Sequence, residues 1–286
     1  MKLDFTKMHG CGNDYIYINC LKRQVEHPQK LAVQLSDRHF SIGGDGIVLI
    51  CKSDKADAKM RMFNIDGSEG KMCGNAIRCV AKYLYDRDIC KKKTISIETL
   101  SGIKTLQLHT ANGQVATVTV DMGKADFDPK TIPVALPGES VIRYPAKIGG
   151  QTVEITCVSM GNPHCVVFGE DPDGLELEKI GPRFENDPLF PERVNTEFIQ
   201  VLDEKTLKMR VWERGSGETL ACGTGACAAV AAACANGYCQ KDTDVLVHLK
   251  GGDLTIRYTD EHVYMTGPAA IAFDGTVKIS AKEMGD

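Results

Sequence analysis

Two segments, M-C-G-N-A at 72–76 and A-C-G-T-G-A at 221–226, share one pattern, a cysteine followed by glycine at the start of an alanine-containing apolar stretch. Cys73 and Cys222 are 149 residues apart (222 − 73). Two further pairs keep this spacing: Asn13 with Asn162, and Asn64 with Glu213. An internal repeat of this length predicts two similar halves, and a face-to-face arrangement of them would aim one thiol from each half at a shared cleft.

The rest of the chain is rich in predicted strands. Alternating or β-branched segments predict strands in the first half at 3–7, 15–19, 46–50, 59–64, 94–98, 104–109 and 114–121. The second half repeats the plan, with predicted strands at 152–158, 164–168, 196–202, 207–213, 245–249, 254–258 and 262–266. Apolar spacing and end signals predict helices at 28–38, 75–87, 175–186 and 225–237. This mixture indicates an α/β (α+β) protein.

Residues 122–150 separate the two halves. This segment contains four prolines, a density that is typical of a crossover or linker. A final predicted strand at 270–279 has no counterpart at the end of the first repeat, so we expect it to return to the first domain. The expected domains are residues 1–121 plus 270–286, which carry Cys73, and residues 122–269, which carry Cys222.

Composition limits the classes of function. The chain has 286 residues, of which 43% are apolar and 25% charged, enough for two ordinary domains with their own cores. Its net charge of −4 argues against a nucleic-acid partner or an anionic membrane surface, because both require a basic face. The N-terminus has no apolar secretory core, and the longest apolar run of small residues, 226–235, is far shorter than the ~20 residues of a membrane span. We therefore expect a soluble, cytoplasmic protein.

The chain contains twelve cysteines. A disulfide framework is typical of small secreted chains, whereas this chain is large and has no C-x-x-C motif, so we expect reduced thiols. The cysteine spacings do not follow those of zinc sites and the seven histidines are scattered, so no metal is expected. A thiol redox protein, in which Cys73 and Cys222 cycle through a disulfide, is disfavoured by the same lack of C-x-x-C.

Each of the two matched cysteines precedes a predicted helix. Backbone N–H groups and the positive end of the helix dipole favour anions at such a position, which predicts a lowered thiol pKa and a thiolate near neutral pH. The same N–H groups favour a substrate carboxylate, here at Gly74-Asn75 and Gly223-Thr224. Inversion of a stereocentre beside a carboxylate requires a base on one face and an acid on the other, and two equivalent thiols supply both.

Longer motifs resemble a known family. They are H-G-C-G-N-D-Y at 9–15, F-N-I-D-G-S-E at 63–69, M-C-G-N-A at 72–76, G-N-P-H at 161–164, R-V-N-T-E at 193–197 and W-E-R-G-S-G-E-T-L-A-C-G-T-G-A at 212–226. Together they look like diaminopimelate epimerase over nearly the whole chain. The resemblance implies a cofactor-independent isomerase that interconverts LL- and meso-2,6-diaminopimelate for lysine and peptidoglycan synthesis. It also implies a homodimer, and two pseudo-symmetric domains, each a curved mixed sheet around a central helix, with the site between the domains.

The resemblance also assigns roles to residues. Cys73 and Cys222 become the acid/base pair, and Gly74, Asn75, Gly223 and Thr224 the groups that bind the carboxylate beside the inverted centre. The family's substrate-binding positions are occupied by Asn13, Asn64, Asn162, Asn195, Glu213 and Arg214. His164 and Glu213 are expected to tune the two thiols. One departure is Gly46, where many members have Gln.

Two other functions share part of these motifs. A proline racemase or hydroxyproline epimerase resembles the chain in M-C-G and C-G-T-G, but Arg214 and the additional asparagines favour a longer substrate with an amino acid at each end. The segment G-T-G-A-C-A at 223–228 formally fits a dinucleotide-binding motif. A loop precedes it in place of the required strand, so this reading is rejected. No pyridoxal phosphate or other cofactor is expected, because the thiols suffice.

Overall fold

The computed structural model describes residues 2–279, which form two compact units. The first unit consists of the described residues of Met1–Val120 and Gly267–Asp286, and the second of Asp121–Thr266. The boundaries expected from the sequence, after residues 121 and 269, lie within a few residues of this division. As a statement about separate domains, they stay a prediction.

The described residues contain strands and helices in regular succession. The strands are β1 (Lys2–Gly10), β2 (Asn13–Cys20), β3 (Gly46–Cys51), β4 (Ala58–Asn64), β5 (Glu69–Gly70), β6 (Thr94–Thr99), β7 (Gly102–Ala111), β8 (Gln114–Gly123), β9 (Tyr144–Ile148), β10 (Gln151–Ser159), β11 (Pro163–Phe168), β12 (Asn195–Asp203), β13 (Thr206–Glu213), β14 (Gly217–Glu218), β15 (Asp244–Leu249), β16 (Gly252–Tyr258), β17 (Val263–Pro268) and β18 (Ala270–Lys278). The helices are α1 (Pro28–Ser36), α2 (Gly74–Asp86), α3 (Leu177–Glu185) and α4 (Gly223–Ala235), with one 3₁₀ turn at Pro172–Gly174. Among the described residues, no helix is long and apolar enough to cross a bilayer.

The two units build their sheets in the same way. In the first unit the hydrogen-bonded order is β18-β1-β2-β3-β4-β6-β7-β8, with β5 paired to the end of β4. In the second unit it is β9-β10-β11-β12-β13-β15-β16-β17, with β14 paired to the end of β13. The parallel pairs also correspond, since β2–β3 and β4–β6 in one unit match β11–β12 and β13–β15 in the other. The predicted pseudo-symmetric α/β architecture is confirmed.

One helix lies inside each sheet. α2 packs against β1, β2 and β7, and α4 packs against β10 to β13 and β16. Residues on all sides of α4 are buried, which explains its composition, because alanine and glycine allow strands to approach the helix from several directions. α2 carries larger side chains, and Tyr83, Tyr85 and Asp86 near its end are partly exposed. Cys73 and Cys222 therefore directly precede the central helix of each half, which packs against its own sheet.

Three strands were not predicted. β5 and β14 have two residues each, too few for any alternating pattern to be recognised. β9 lies in the proline-containing segment that we interpreted as a linker. Within residues 2–279 its ladder is with β10, and an edge strand of this kind tolerates Pro145. The segment 122–150, predicted as a crossover or linker, therefore contains a short strand in its last third.

Candidate active site

Cys73 is the N-cap residue of α2. Its backbone is extended, with φ of −137°, and its sulfur accepts a hydrogen bond from the backbone N–H of Ala76. The Cys73 carbonyl accepts from the N–H of Ile77, which closes the first turn of the helix. This geometry places the thiol among the N–H groups of the first turn, beside Gly74 and Asn75, as the sequence predicted.

Asn13 connects Cys73 to the neighbouring loops. Its side-chain oxygen lies 3.4 Å from the Cys73 sulfur, which donates to it, and 3.4 Å from the side-chain nitrogen of Asn75. The side-chain nitrogen of Asn13 donates to Asp45 at 2.7 Å. The asparagine is thus fixed at the start of β2, with its side-chain oxygen towards the thiol.

Arg78 is a functional candidate that the sequence analysis missed. Its side chain is fully buried in α2, where it donates to the Gly74 carbonyl at 3.1 Å and to the Asn75 side chain at 3.0 Å. It also donates to the Pro268 carbonyl. A buried guanidinium one turn from Cys73 fixes the start of the helix and supplies positive charge near that thiol. A single arginine on an otherwise ordinary helix gives no sequence signal of this burial.

Gly46 and Asn64 are paired neighbours on β3 and β4. A Cβ atom at Gly46 would lie 2.1 Å from the backbone oxygen of Phe63, and the residue has φ of +149°. This backbone therefore has no room for the Gln side chain that many family members carry here. The Asn64 side chain donates to the Ser68 hydroxyl at 3.0 Å, which holds the turn between β4 and β5.

Cys222 occupies the matching position at the start of α4 and is buried, with 5% exposure. Its sulfur lies 3.6 Å from the Thr224 hydroxyl, which in turn accepts a hydrogen bond from the Asn162 side chain at 3.3 Å. Cys222 thus contacts the counterpart of Asn13 through one intervening hydroxyl, whereas Cys73 contacts Asn13 directly. The predicted repeat is present in both networks, with different details.

A buried histidine extends this second network. The Nε2 atom of His164 lies 3.0 Å from the Asn162 side-chain oxygen, and Nδ1 lies 2.7 Å from Oε1 of Glu197. Both His164 and Glu197 are fully buried. A Cβ atom at Gly225 would lie 2.7 Å from the same Glu197 oxygen, so the carboxylate is packed against the first turn of α4. Glu197 was not predicted, although it ends the R-V-N-T-E motif.

The environment of Cys222 differs from the expected one. Burial raises the pKa of the Cys222 thiol well above its ordinary value, and the negative charges of Glu213 and Glu197 raise it further. Hydrogen bonds from Thr224 and from the Gly225 N–H oppose this rise without cancelling it. The prediction that the start of a helix lowers the thiol pKa is therefore wrong for Cys222, because burial and two carboxylates outweigh the helix.

Glu213 lies at the end of β13 and contacts the Cys222 thiol. Its carboxylate also accepts a hydrogen bond from the Thr219 hydroxyl. Burial raises the pKa of Glu213, while the hydrogen bonds from Thr219 and Cys222 act in the opposite direction. A carboxylate that accepts a hydrogen bond from the thiol can change the pKa of that thiol through its own charge. This is the tuning role that we predicted for Glu213.

Asn195 and Arg214 lie at the edge of the second network. The Asn195 side chain donates to the Pro163 carbonyl at 2.8 Å and accepts from the Arg214 N–H at 2.9 Å, so both ends of its amide hold backbone. The Arg214 guanidinium donates to the Glu192 carbonyl at 2.8 Å. Their predicted substrate contacts stay predictions.

The predicted residues thus form one group in each unit. The first unit brings together Cys73, Gly74, Asn75 and Asn13, with Asn64 at the end of β4. The second brings together Cys222, Gly223, Thr224, Asn162, His164 and Glu213, with Asn195 and Arg214 nearby. Within residues 2–279, no group of three or more His, Cys, Asp or Glu side chains has an arrangement that could hold a metal ion.

Comparison with known proteins gives consistent matches. The family model described as diaminopimelate epimerase matches residues 5–127 and 156–272. A diaminopimelate epimerase from Acetivibrio thermocellus is 54% identical, with 96% of this chain and 99% of that protein covered. One from Agathobacter rectalis is 52% identical, with 97% of this chain and all of that protein covered.

Solved structures share the fold at low sequence identity. A phenazine biosynthesis protein of the PhzF family from Bacillus anthracis superimposes with a TM-score of 0.73 at 18% identity, covering 98% of this chain and all of that one. A hydroxyproline epimerase from Agrobacterium vitis, with trans-4-hydroxy-L-proline bound, gives a TM-score of 0.68 at 14% identity, covering 99% and 95%. At such identities the likeness concerns the fold alone.

Proposed function

Because the chain belongs to the diaminopimelate epimerase family, we propose that it interconverts LL- and meso-2,6-diaminopimelate without a cofactor. The observation that carries the proposal is the matched placement of two thiols. Cys73 and Cys222 are each the N-cap of the central helix of their unit, and each contacts a network that contains a Gly-Asn asparagine. The reaction supplies meso-diaminopimelate for lysine and peptidoglycan synthesis.

The proposed chemistry uses one thiol on each face of the substrate α-carbon. In one direction, the Cys73 thiolate removes the α-proton and the Cys222 thiol donates a proton to the opposite face. The α-carbon has then lost one proton and gained one, the substrate charge is unchanged, and the Cys73 proton and the Cys222 thiolate remain on the enzyme. The reverse reaction exchanges these roles. The raised pKa of Cys222 supports this assignment, because it favours the thiol form at neutral pH.

The intermediate in this reaction is a planar carbanion beside a carboxylate. The carboxylate binds the first-turn N–H groups at Gly74 and Asn75 and at Gly223 and Thr224, where helix dipoles stabilise the charge that develops. A preorganised donor at such a position is worth about 2.7–4 kcal/mol of barrier. Neutral asparagines at 13 and 162 orient the reacting amino acid without adding charge.

The remaining predicted contacts serve the other end of the substrate. Asn64, Asn195 and Arg214 bind the distal amino and carboxylate groups, with the Arg214 guanidinium suited to a two-pronged contact with a carboxylate. This set selects a long substrate with two amino-acid ends over proline. His164 and Glu213 tune the Cys222 thiol through Asn162 and by direct contact. The enzyme acts as a homodimer.

The test is an epimerisation assay on LL-diaminopimelate beside D- and L-proline, with products separated by chiral chromatography. We expect meso-diaminopimelate to form and proline to remain unchanged. Folded Cys73→Ala and Cys222→Ala variants should each lose turnover, because one face of the substrate then lacks its proton carrier. Racemisation of proline, or substantial turnover by either folded variant, would overturn the proposal.

A further inference from the structure

Two arginine–glutamate pairs occupy matched positions in the two units. In the first unit, Arg61 holds Glu69 with two hydrogen bonds of 2.7 and 2.9 Å. In the second, Arg210 holds Glu218 with two hydrogen bonds of 2.8 and 3.0 Å. Both the arginines and the glutamates are separated by 149 residues, the spacing of Cys73 and Cys222. The repeat has therefore kept the same two-pronged ion pair in both halves, together with the thiol.

Each pair joins a long strand to a two-residue strand. Arg61 lies on β4 and Glu69 on β5, and these strands pair at Phe63 with Glu69. Arg210 lies on β13 and Glu218 on β14, in the same antiparallel arrangement. A strand of two residues makes few backbone hydrogen bonds, so its position depends on its side chains. In both units, the ion pair supplies that side-chain contact.

The short strand leads directly to the thiol. Glu69 precedes Cys73 by four positions, and Glu218 precedes Cys222 by four. In the second unit the connection is also made through side chains, because Thr219, the residue after Glu218, donates to Glu213, which contacts the Cys222 thiol. A shift of β14 would therefore move the groups that set the position and the charge of that sulfur.

In the first unit, a related contact ties the turn before the short strand to the end of the preceding long strand. Ser68, the residue before Glu69, accepts the side-chain N–H of Asn64, and its carbonyl accepts the Asn64 backbone N–H at 2.9 Å. Asn64 is the counterpart of Glu213 in the repeat. In both units, the glutamate of the ion pair is next to a residue with a hydroxyl group, Ser68 or Thr219. That hydroxyl forms a hydrogen bond with the last residue of the preceding long strand, Asn64 or Glu213.

These ion pairs differ from those on the surface. The Arg210 and Glu218 side chains are 11% and 13% exposed, whereas those of Arg257 and Asp244 are 50% and 56% exposed. The hydrogen bond from Arg61 keeps the pKa of Glu69 below its ordinary value, and that from Arg210 does the same for Glu218. Both pairs are therefore charged at neutral pH. Burial shields Arg210–Glu218 from the screening that weakens exposed pairs, and shields Arg61–Glu69, at 34% and 25% exposure, to a smaller extent.

We propose that Arg61–Glu69 and Arg210–Glu218 are positioning pairs, each of which holds the thiol of its own unit in its reactive place. None of these four residues is among the predicted substrate contacts. The inference rests on the proposed function for its catalytic meaning, but the position and reactivity of a thiol can be measured without turnover. Each pair should therefore affect one sulfur and leave the other unchanged.

The experiment compares Glu69→Gln and Glu218→Gln in the full chain. Each thiol is labelled with methyl methanethiosulfonate, and the rate at Cys73 and at Cys222 is read by peptide mapping. We expect Glu69→Gln to change the rate at Cys73 by about tenfold and Glu218→Gln to do so at Cys222, since small displacements of reacting groups have large effects on rate. Matched controls are Asp88→Asn and Asp244→Asn, which break exposed ion pairs in the first and second unit.

Two further measurements separate positioning from simple support of the fold. A positioning role lowers kcat more than it raises KM at temperatures well below Tm, and the exchanged pair Arg61→Glu with Glu69→Arg restores part of the lost kcat. Equal labelling changes at both thiols, or a lower Tm with unchanged labelling and kcat, would overturn the proposal. Failure of the proposed function would look different, because labelling would still respond to the pairs while diaminopimelate was not turned over.

Discussion

Nδ1 of His164 lies 2.7 Å from Oε1 of Glu197, and both side chains are fully buried in the second unit. The second carboxylate oxygen of Glu197 has no hydrogen-bond partner within residues 2–279. The hydrogen bond to Glu197 therefore fixes the orientation of the His164 imidazole. The other ring nitrogen of His164 is then held within hydrogen-bond distance of Asn162.

Replacement of Glu197 by Gln should therefore lower kcat. Gln keeps the size of the side chain but loses the charge-assisted hydrogen bond to His164, which is worth roughly 1.5–3 kcal/mol, or a loss of about 10- to 100-fold. Steady-state kinetics on the folded variant measures this loss. Glu154→Gln removes an exposed carboxylate of the same unit and serves as the control. Unchanged kcat in folded Glu197→Gln would show that the buried pair has no part in the reaction.

Replacement of Glu213 by Gln should lower the pKa of Cys222. The negative charge of Glu213 is, after burial, the largest cause of the raised value, and its removal makes the thiolate easier to form. The pH profile of Cys222 labelling should then move to lower pH, with Glu154→Gln again as the control. A profile that moves to higher pH, or does not move, would contradict the assignment of Glu213 as the neighbouring charge.

Solvent deuterium reports on the two-thiol mechanism. In D₂O, early product should carry deuterium at the inverted centre, because the donating thiol has exchanged with solvent. The remaining substrate should stay largely protiated, because the proton it loses goes to the other thiol. Mass spectrometry of the separated stereoisomers measures both. Extensive retention of the original hydrogen in the product would favour a single base.

Ionised Asp57 should contribute to the stability of the fold near neutral pH and lose that contribution in acid. Burial acts to raise its pKa, but hydrogen bonds from Lys92 and from Ser96 outweigh burial and hold the pKa below its ordinary value. The ionised form is thus favoured in the folded state. Its contribution to stability is complete above the unfolded-state pKa and is lost as pH falls through the lower folded-state pKa. Thermal melts should therefore show Asp57→Asn less stable than wild type near neutral pH, with the difference shrinking in acid.

Gly181→Ala tests the packing of α3. A Cβ atom at this position would lie 2.2 Å from Cδ2 of Trp212, which belongs to the core of the second unit. Overpacking of this kind costs about 1–3 kcal/mol of unfolding free energy, measured by chemical denaturation. Gly169→Ala is the matched control, because nothing lies within 4 Å of a Cβ atom there. Equal stability of both variants would mean that α3 can move away without cost.

Long alternating segments made most of the fold predictable. The predicted strand at 196–202 and the helix at 225–237 correspond to β12 and α4. Apolar and β-branched residues indicated the strand, and a long run of alanines indicated the helix. The ends were less accurate, and the helix begins two residues earlier, at Gly223. β9 was not predicted because its second residue is Pro145, which is typical of loops, although the residues around Pro145 alternate between buried and exposed.

The candidate site was predictable where its residues lie in the long motifs that resemble the family, which include Asn13, Asn162 and Glu213 outside the two central helices. Two buried charged residues near the thiols, Glu197 and Arg78, were not predicted. Glu197 lies on β12 and is opposite Val211 in the sheet, a relation that no local pattern contains. Arg78 was missed for a similar reason, since its burial depends on the carbonyl of Pro268, far away in the chain.

Carboxylates surround the thiol in the second unit, while the first unit places a buried guanidinium near its own thiol. Under the proposed chemistry, every turnover leaves the enzyme with its mobile proton on the other sulfur. The enzyme that has just released meso product is thus a different species from the one that has just released LL product. Because burial and the neighbouring carboxylates disfavour a thiolate at Cys222, recovery between catalytic cycles is easier after the direction that leaves Cys222 as the thiol than after the direction that leaves it as the thiolate.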